Sequence, residues 1–244
     1  MGILMRSKLV ILSTIIRQVF QPMFKKKLTP SDYFLIAVNL LPIAGVLAWN
    51  WNPKEVFLVY CLESIIIGVF TLVKMVIVTL VRKKDTWQNG ENSSQQHGIF
   101  FMLFFMMHYG IFVGIQMAIF FGVSGIGKDN NISAFNFFYK WPQLINNDML
   151  LMLGAFVFFY VFKLMIDFVL SGQYRTIPMM TLMFQPYGRI FIQQFTVIAG
   201  SIFLTFGAGD IFIFIFAIVK IFFEVFVNYD SLLNKQMEKE SGKQ

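Results

Sequence analysis

The chain has 244 residues, of which 57% are hydrophobic and only 14% charged, and it carries 31 Phe. A soluble domain is about 45–50% apolar and about 25% charged, so a globule of this size could not cover its apolar surface. The composition excludes a soluble enzyme, a disordered chain and a nucleic-acid reader, and the net charge of +7 reads as the Lys/Arg bias of a membrane protein.

The first 28 residues form the first predicted element. Arg6, Ser7, Ser13, Thr14, Arg17, Gln18 and Gln21 recur near helical spacing, with Ile11, Ile15, Val19 and Met23 on the other side and Lys25, Lys26 and Lys27 following. This pattern predicts an amphipathic helix lying on the membrane surface and ending in a basic patch. A signal peptide fits less well, because Arg17 interrupts the apolar region and no small-x-small cleavage site follows.

Residues 29–228 are read as one transmembrane domain. A hydrocarbon core of about 30 Å needs about 20 apolar residues per helix. Six runs qualify: 33–51, 55–81, 98–123, 148–170, 189–207 and 209–228. The last two are divided by Gly207-Ala208-Gly209-Asp210, a tight turn that makes them a helical hairpin. Runs such as Ile211-Phe212-Ile213-Phe214-Ile215-Phe216 are apolar all round, which excludes the alternating strands of a membrane barrel. The predicted fold is all-α, a polytopic transmembrane helix bundle of about six spans.

Two connections have content. The stretch Ala134-Phe135-Asn136-Phe137-Phe138-Tyr139-Lys140-Trp141 predicts a short helix dipping into the outer interface. The segment 171–188, with Pro178, Met179, Met180, Met183, Pro186 and Tyr187, predicts an interfacial or re-entrant piece. Residues 229–244 form a polar tail of mixed charge.

Orientation follows from Lys and Arg. With the N-terminus inside, fourteen of them fall on cytoplasmic segments and three, Lys54, Lys128 and Lys140, fall outside. Both termini are therefore expected in the cytoplasm. Trp49, Trp51 and Trp141 then lie near the outer interface, where indole rings prefer to sit.

An ionisable residue inside a span costs about 2.5–3.5 kcal/mol at the helix centre, so each needs a reason. Lys74, Lys163 and Lys220 lie roughly 10–12 Å from the inner ends of spans two, four and six, at about 1.5 Å per residue. Asp167 and Glu224 stand one turn closer to the cytoplasm, each four residues after a Lys, and Arg189 enters span five from the same side. Together Lys74, Lys163, Arg189, Lys220, Asp167 and Glu224 are the candidate substrate-binding residues. Snorkelling Lys side chains and ion pairs that only hold the bundle together are the structural alternative. Glu63, in the outer half of span two and within reach of Asn39 on span one, and His108, near mid-membrane, are candidate proton or ion sites.

The single Cys, Cys61, excludes an internal disulfide and a Cys-based zinc site, and His97 and His108 alone make no multi-His metal centre. No metal or cofactor is expected. A Gly-rich phosphate loop, a His-Glu-x-x-His and a Gly-x-Ser-x-Gly elbow are absent from the sequence. Gly110 and Gly114 form a Gly-x-x-x-Gly that reads as a helix-packing face.

Four motifs carry a resemblance: Pro186-Tyr187-Gly188-Arg189, His108-Tyr109-Gly110, Cys61-Leu62-Glu63-Ser64 and the downstream Lys74. With these the chain resembles a family of bacterial multi-span membrane proteins of unknown function, from about Asp32 to Tyr229. The family pattern has Asn after the span-two Glu; here Ser64 stands there. The resemblance implies a bacterial inner-membrane location and about six spans. It implies no activity.

Three functional expectations result. The first is a transporter or channel-like protein whose cytoplasm-facing cationic cavity takes an anionic small molecule or a lipid headgroup, with Lys74, Arg189 and Lys220 converging on it. The second is a membrane-embedded enzyme acting on a lipid or isoprenoid phosphate, with His108 or a carboxylate as base. The third is an assembly partner whose ion pairs only fix helix packing. Membrane lipids are the expected partners, a homo-oligomer would supply symmetry that the sequence lacks as a repeat, and no nucleic acid is involved.

Overall fold

The structure is a computed structural model, and it describes residues 27–89, 92–126, 131–132 and 136–226. The surface helix predicted for the first 28 residues falls almost wholly outside these, and the tail from residue 229 lies entirely outside them. About 82% of the structure is helical.

Helix α1 (Pro30–Trp49) opens on a reciprocal cap. Thr29 Oγ1 accepts from the Asp32 amide at 3.3 Å, and Asp32 Oδ2 accepts from the Thr29 amide at 2.8 Å. The helix ends at Asn50, whose φ of 55° turns the chain through the left-handed region. Trp51 then folds back on Gly45, where an added Cβ would come within 2.0 Å of the indole. Trp51 is thus buried against α1, whereas Trp49 is exposed.

Helix α2 (Pro53–Val81) starts with the Asn52 side chain capping Lys54 N and with Pro at its first position. Strands β1 (Lys84–Asn89) and β2 (Asn92–His97) follow as an antiparallel hairpin. This hairpin is absent from the all-helical expectation. Asn89 pairs with Asn92, so the two connecting positions in the sequence are Gly90-Glu91, the Gly-x order of a two-residue hairpin. Helix α3 (Gly98–Ser124) is capped by His97 Nδ1, which accepts from Ile99 N at 3.2 Å. The predicted outer-loop helix corresponds to the short α4 (Phe137–Lys140) and a 3-10 turn at Trp141–Leu144.

Helix α5 (Asn147–Lys163) continues as a π-helix over Leu164–Leu170. A 3-10 turn at Gln173–Arg175 leads to α6 (Met179–Thr205), which begins about ten residues before the predicted fifth span. Helix α7 (Gly209–Ile221) likewise continues as a π-helix over Phe222–Phe226. Among the described residues, four helices are long and apolar enough to cross a membrane: α1, α2, α3 and α5 with its π extension.

Contacts at the helix ends show that the six long helices alternate in direction. At one end, Glu55 of α2 accepts from Asn146 at the start of α5, and Gly200 near the end of α6 packs on Phe57 of α2 and Phe212 of α7. At the other end, Ser31 of α1 donates to Asp167 at the end of α5, and Arg82 after α2 donates to Ile177 O just before α6. Helix α2 is the centre of the bundle, packed against α3, α5, α6 and α7. Its buried face runs from Val56 to Ser64 almost without a break, which explains why this helix carries the polar residues with fewest routes to water.

Candidate functional site

At the middle of the bundle, three helices bring polar groups onto one ammonium, and a fourth donates to one of those groups. Lys220 of α7 is 3% exposed, and its Nζ donates to Asn39 Oδ1 of α1 at 2.7 Å and to Glu63 Oε1 of α2 at 2.9 Å. Glu63 Oε2 lies 2.7 Å from the same Nζ, and Glu224 Oε1, on the π turn after α7, lies at 3.7 Å. Tyr160 of α5 donates to Glu63 Oε1 at 2.9 Å. The Asn39 amide is oriented by its own helix: Nδ2 donates to Leu35 O at 2.9 Å, which leaves Oδ1 for the ammonium. The rings of Tyr60 and Phe156 lie with centroids 5.2 and 5.0 Å from Nζ, within the range of cation–π attraction.

The residues lie at one level. Asn39, Glu63 and Lys220 stand about 15–17 Å along their helices from the ends at Trp49, Pro53 and Gly209, at about 1.5 Å per residue. Two carboxylates stand against one ammonium and, with Arg189, one guanidinium, so the group is formally neutral. Arg189 of α6 lines the same void as Lys220 and Glu224, together with Gln193, Phe216 and Phe223. The void holds about 10 Å³, the space of a single water. Glu224 Oε2 is buried and makes no hydrogen bond.

A second polar group sits on the neighbouring face of α2. Ser64 Oγ lies 3.1 Å from Gln116 Oε1 of α3 and 2.9 Å from Gln193 Oε1 of α6. A hydroxyl has one hydrogen to give, so it donates to one amide and the other must present its NH2. Gln193 Nε2 donates to Tyr60 O, and Tyr109 OH donates to Ser64 O at 2.8 Å. All six long helices thereby contribute a polar side chain to a continuous layer.

The sequence-predicted residues divide sharply. Lys220, Glu224 and Arg189 come together, and Glu63 joins them. Glu63, read from the sequence as lying in the outer half of span two, is the closer carboxylate to Lys220 at 2.7 Å, and Glu224, four residues after the Lys, lies at 3.7 Å. Lys74 does not line the void; its ammonium lies over the Phe168 ring, 5.4 Å from the centroid. Lys163 lies over Phe159 at 5.9 Å, and Asp167 accepts from Ser31 Oγ at 2.9 Å. His108 is exposed on the outer side of α3, stacked on Phe104 and edge-on to Tyr187, and lines no part of the void. Gly110 also faces outward, with nothing within 4 Å of an added Cβ, so it packs no helix of its own chain.

Tyr60, Tyr160 and Gln116 are site residues that the sequence reading passed over. Their signal was available: a Tyr or Gln inside an apolar run needs a hydrogen-bond partner, and a lone buried Glu supplies one. Among the described residues, no three His, Cys, Asp or Glu side chains gather as a metal centre would require.

Residues 21–244 match the model of the family of unknown function DUF6498, and the chain belongs to that family. No curated protein and no solved structure matches it.

Proposed function

We propose that the chain is a six-span membrane protein that moves charge across the bilayer, a transporter or channel-like protein in which Glu63, Lys220 and Glu224 form the exchange site. A bacterial inner membrane, with both termini cytoplasmic, is the location that goes with this reading. The observation that carries it is the fully buried Glu63 held by a buried Lys220 in the middle of a helix bundle. Burying an ion costs several kcal/mol, and apolar side chains of similar volume in its place are often neutral or stabilising. A chain this rich in Phe, Ile and Leu had that solution at hand. Intramembrane charges that persist are by default functional. The cluster also ties α7 to α1 and α2, so a change in its protonation or occupancy changes how the helices hold together.

A large cavity for an anionic substrate is a weaker form of the reading. The void holds about 10 Å³, and Lys74 and Lys163 are seated over aromatic rings. An enzyme using His108 as base has no support in the geometry, since that ring lies off the void. A purely structural clamp is the second reading, favoured by the small size of the void.

Proteoliposomes adsorbed on a solid-supported membrane separate the two. Concentration jumps of protons, sodium, potassium and chloride are expected to drive transient currents in the unaltered protein. Glu63→Gln and Lys220→Met are expected to abolish them while the protein still elutes and scatters as a folded helical bundle. Silence of the unaltered protein to all four ions would overturn the transport reading and leave the clamp.

A further inference from the structure

Resting on that exchange-site reading, we infer that the ion taken by the site is a small monovalent metal cation such as sodium, and that Lys220 Nζ occupies its place in this conformation. Four oxygens surround that nitrogen within 3.7 Å: Asn39 Oδ1, both oxygens of Glu63 and Glu224 Oε1. They come from three helices and from two acids and an amide, the oxygen donors that hard cations prefer. A fifth oxygen, Glu224 Oε2, is unpartnered on a side chain that is 6% exposed and borders the void. That orphan acceptor is the independent sign of a missing ligand, because buried oxygens otherwise find a donor.

Charge selects the class. With Lys220 withdrawn, Glu63 and Glu224 against Arg189 leave one negative charge in excess, and a monovalent ion restores the formal neutrality that the group has now. A calcium ion wants six to eight oxygens, and magnesium near-ideal octahedral geometry. Five oxygens and one water make six ligands, enough for either ion, so charge decides: a divalent ion would leave the site one positive charge in excess. The aromatic faces of Tyr60 and Phe156 favour any cation at this position, tethered or free.

Withdrawal of Lys220 has a route and a hinge. Its stem is flexible, a void of about 10 Å³ borders it, and the backbone two residues on passes into the π-helix at Phe222–Phe226. Short π segments inside helices recur at functional sites, because one inserted residue loosens the ladder there.

The test uses full-length Lys220→Ala protein purified in detergent with choline as the sole cation, and radioactive sodium as the probe. Stoichiometric, saturable sodium binding is expected, accompanied by a rise in melting temperature with sodium chloride that choline chloride does not reproduce. The Lys220→Ala/Glu63→Gln double variant is expected to lose both. Folded Lys220→Ala protein without saturable binding overturns the inference, as does an equal response to both salts. If Lys220→Ala folds in neither salt while the double variant folds, a free cation cannot replace the ammonium and the inference also fails; folding rescued by sodium alone upholds it. Sodium binding with no current in the unaltered protein would sink the transport reading and leave this site standing. Current without sodium binding would do the reverse.

Discussion

Lys220 engages Glu63, Glu224 and Asn39 together because an ammonium is a compact charge with three donors on a long stem. Its removal alone takes from the two buried carboxylates the ammonium that they share. Breaking a buried pair from one side costs about 3–5 kcal/mol. We therefore expect Lys220→Met to lower the melting temperature of the purified protein strongly in sodium-free buffer. Lys220→Met combined with Glu63→Gln is expected to recover most of the loss, since both partners are then neutral. A double-mutant cycle reads the coupling directly, and additive losses would show that the two residues do not act as a pair. The candidates Glu63, Lys220, Glu224 and Arg189 were legible as intramembrane charges. Their grouping was not. Depth was counted from the outer end for Glu63 and from the inner end for Lys220, and α2, 29 residues and about 44 Å long, overshoots the core while α7 does not. Counted from a common end, the two residues fall level.

Elements show what periodicity cannot. The α5 and α7 runs both carry Phe, Lys and an acid at four-residue spacing, as Phe159-Lys163-Asp167 and Phe216-Lys220-Glu224, and both pass into π-helix just after the Lys. Hydropathy is blind to that change of winding. The hairpin is a second case: it latches one end of the bundle, where α2 ends and α6 begins. Asp85 Oδ2 accepts from Met179 N at 3.0 Å, one of the free amides at the start of α6, and pairs with Arg82 at 3.1 Å. Asp85→Ala removes a cap worth about 1 kcal/mol. Hydrogen exchange should then quicken severalfold at the first amides of α6 and stay unchanged in the middle of α2. Glycines give a paired expectation. At Gly200 an added Cβ would lie 2.1 Å from the Phe212 ring and 2.7 Å from Phe57, so Gly200→Ala overpacks the α6–α7 contact, at about 1–3 kcal/mol. Gly110→Ala meets nothing and gains helix propensity, so its melting temperature should hold or rise. A loss at Gly110 would mean that a second molecule covers that face.

At the scale of the whole molecule, the number of crossings follows from where helix ends lie. Five of the six apolar runs match their helices to within a few residues, whereas α6 starts about ten residues before its run. Yet α6 starts beside the hairpin, through Asp85, and approaches its end against Phe57, at the two ends of the same helix α2. The two ends of α6 therefore lie level with the two ends of α2, and six crossings is the prediction that this placement makes. The polar residues that lower its hydropathy face the layer at Ser64 and the void rather than lipid, at least at Gln193 and Arg189. The turn at Phe206, 82% exposed, must then emerge on the same side as Gln143, and Ser94 of the hairpin on the opposite one. Cysteine scanning tests this with little background, because the native Cys61 is fully buried. An impermeant maleimide applied to intact cells is expected to label Gln143→Cys and Phe206→Cys, and to reach Ser94→Cys only after the membrane is opened. Labelling of Phe206→Cys only in opened cells, with Gln143→Cys still reached from outside, would leave four crossings and put α6 and α7 at the inner face. Labelling of Ser94→Cys from outside would invert the orientation that the Lys and Arg distribution sets.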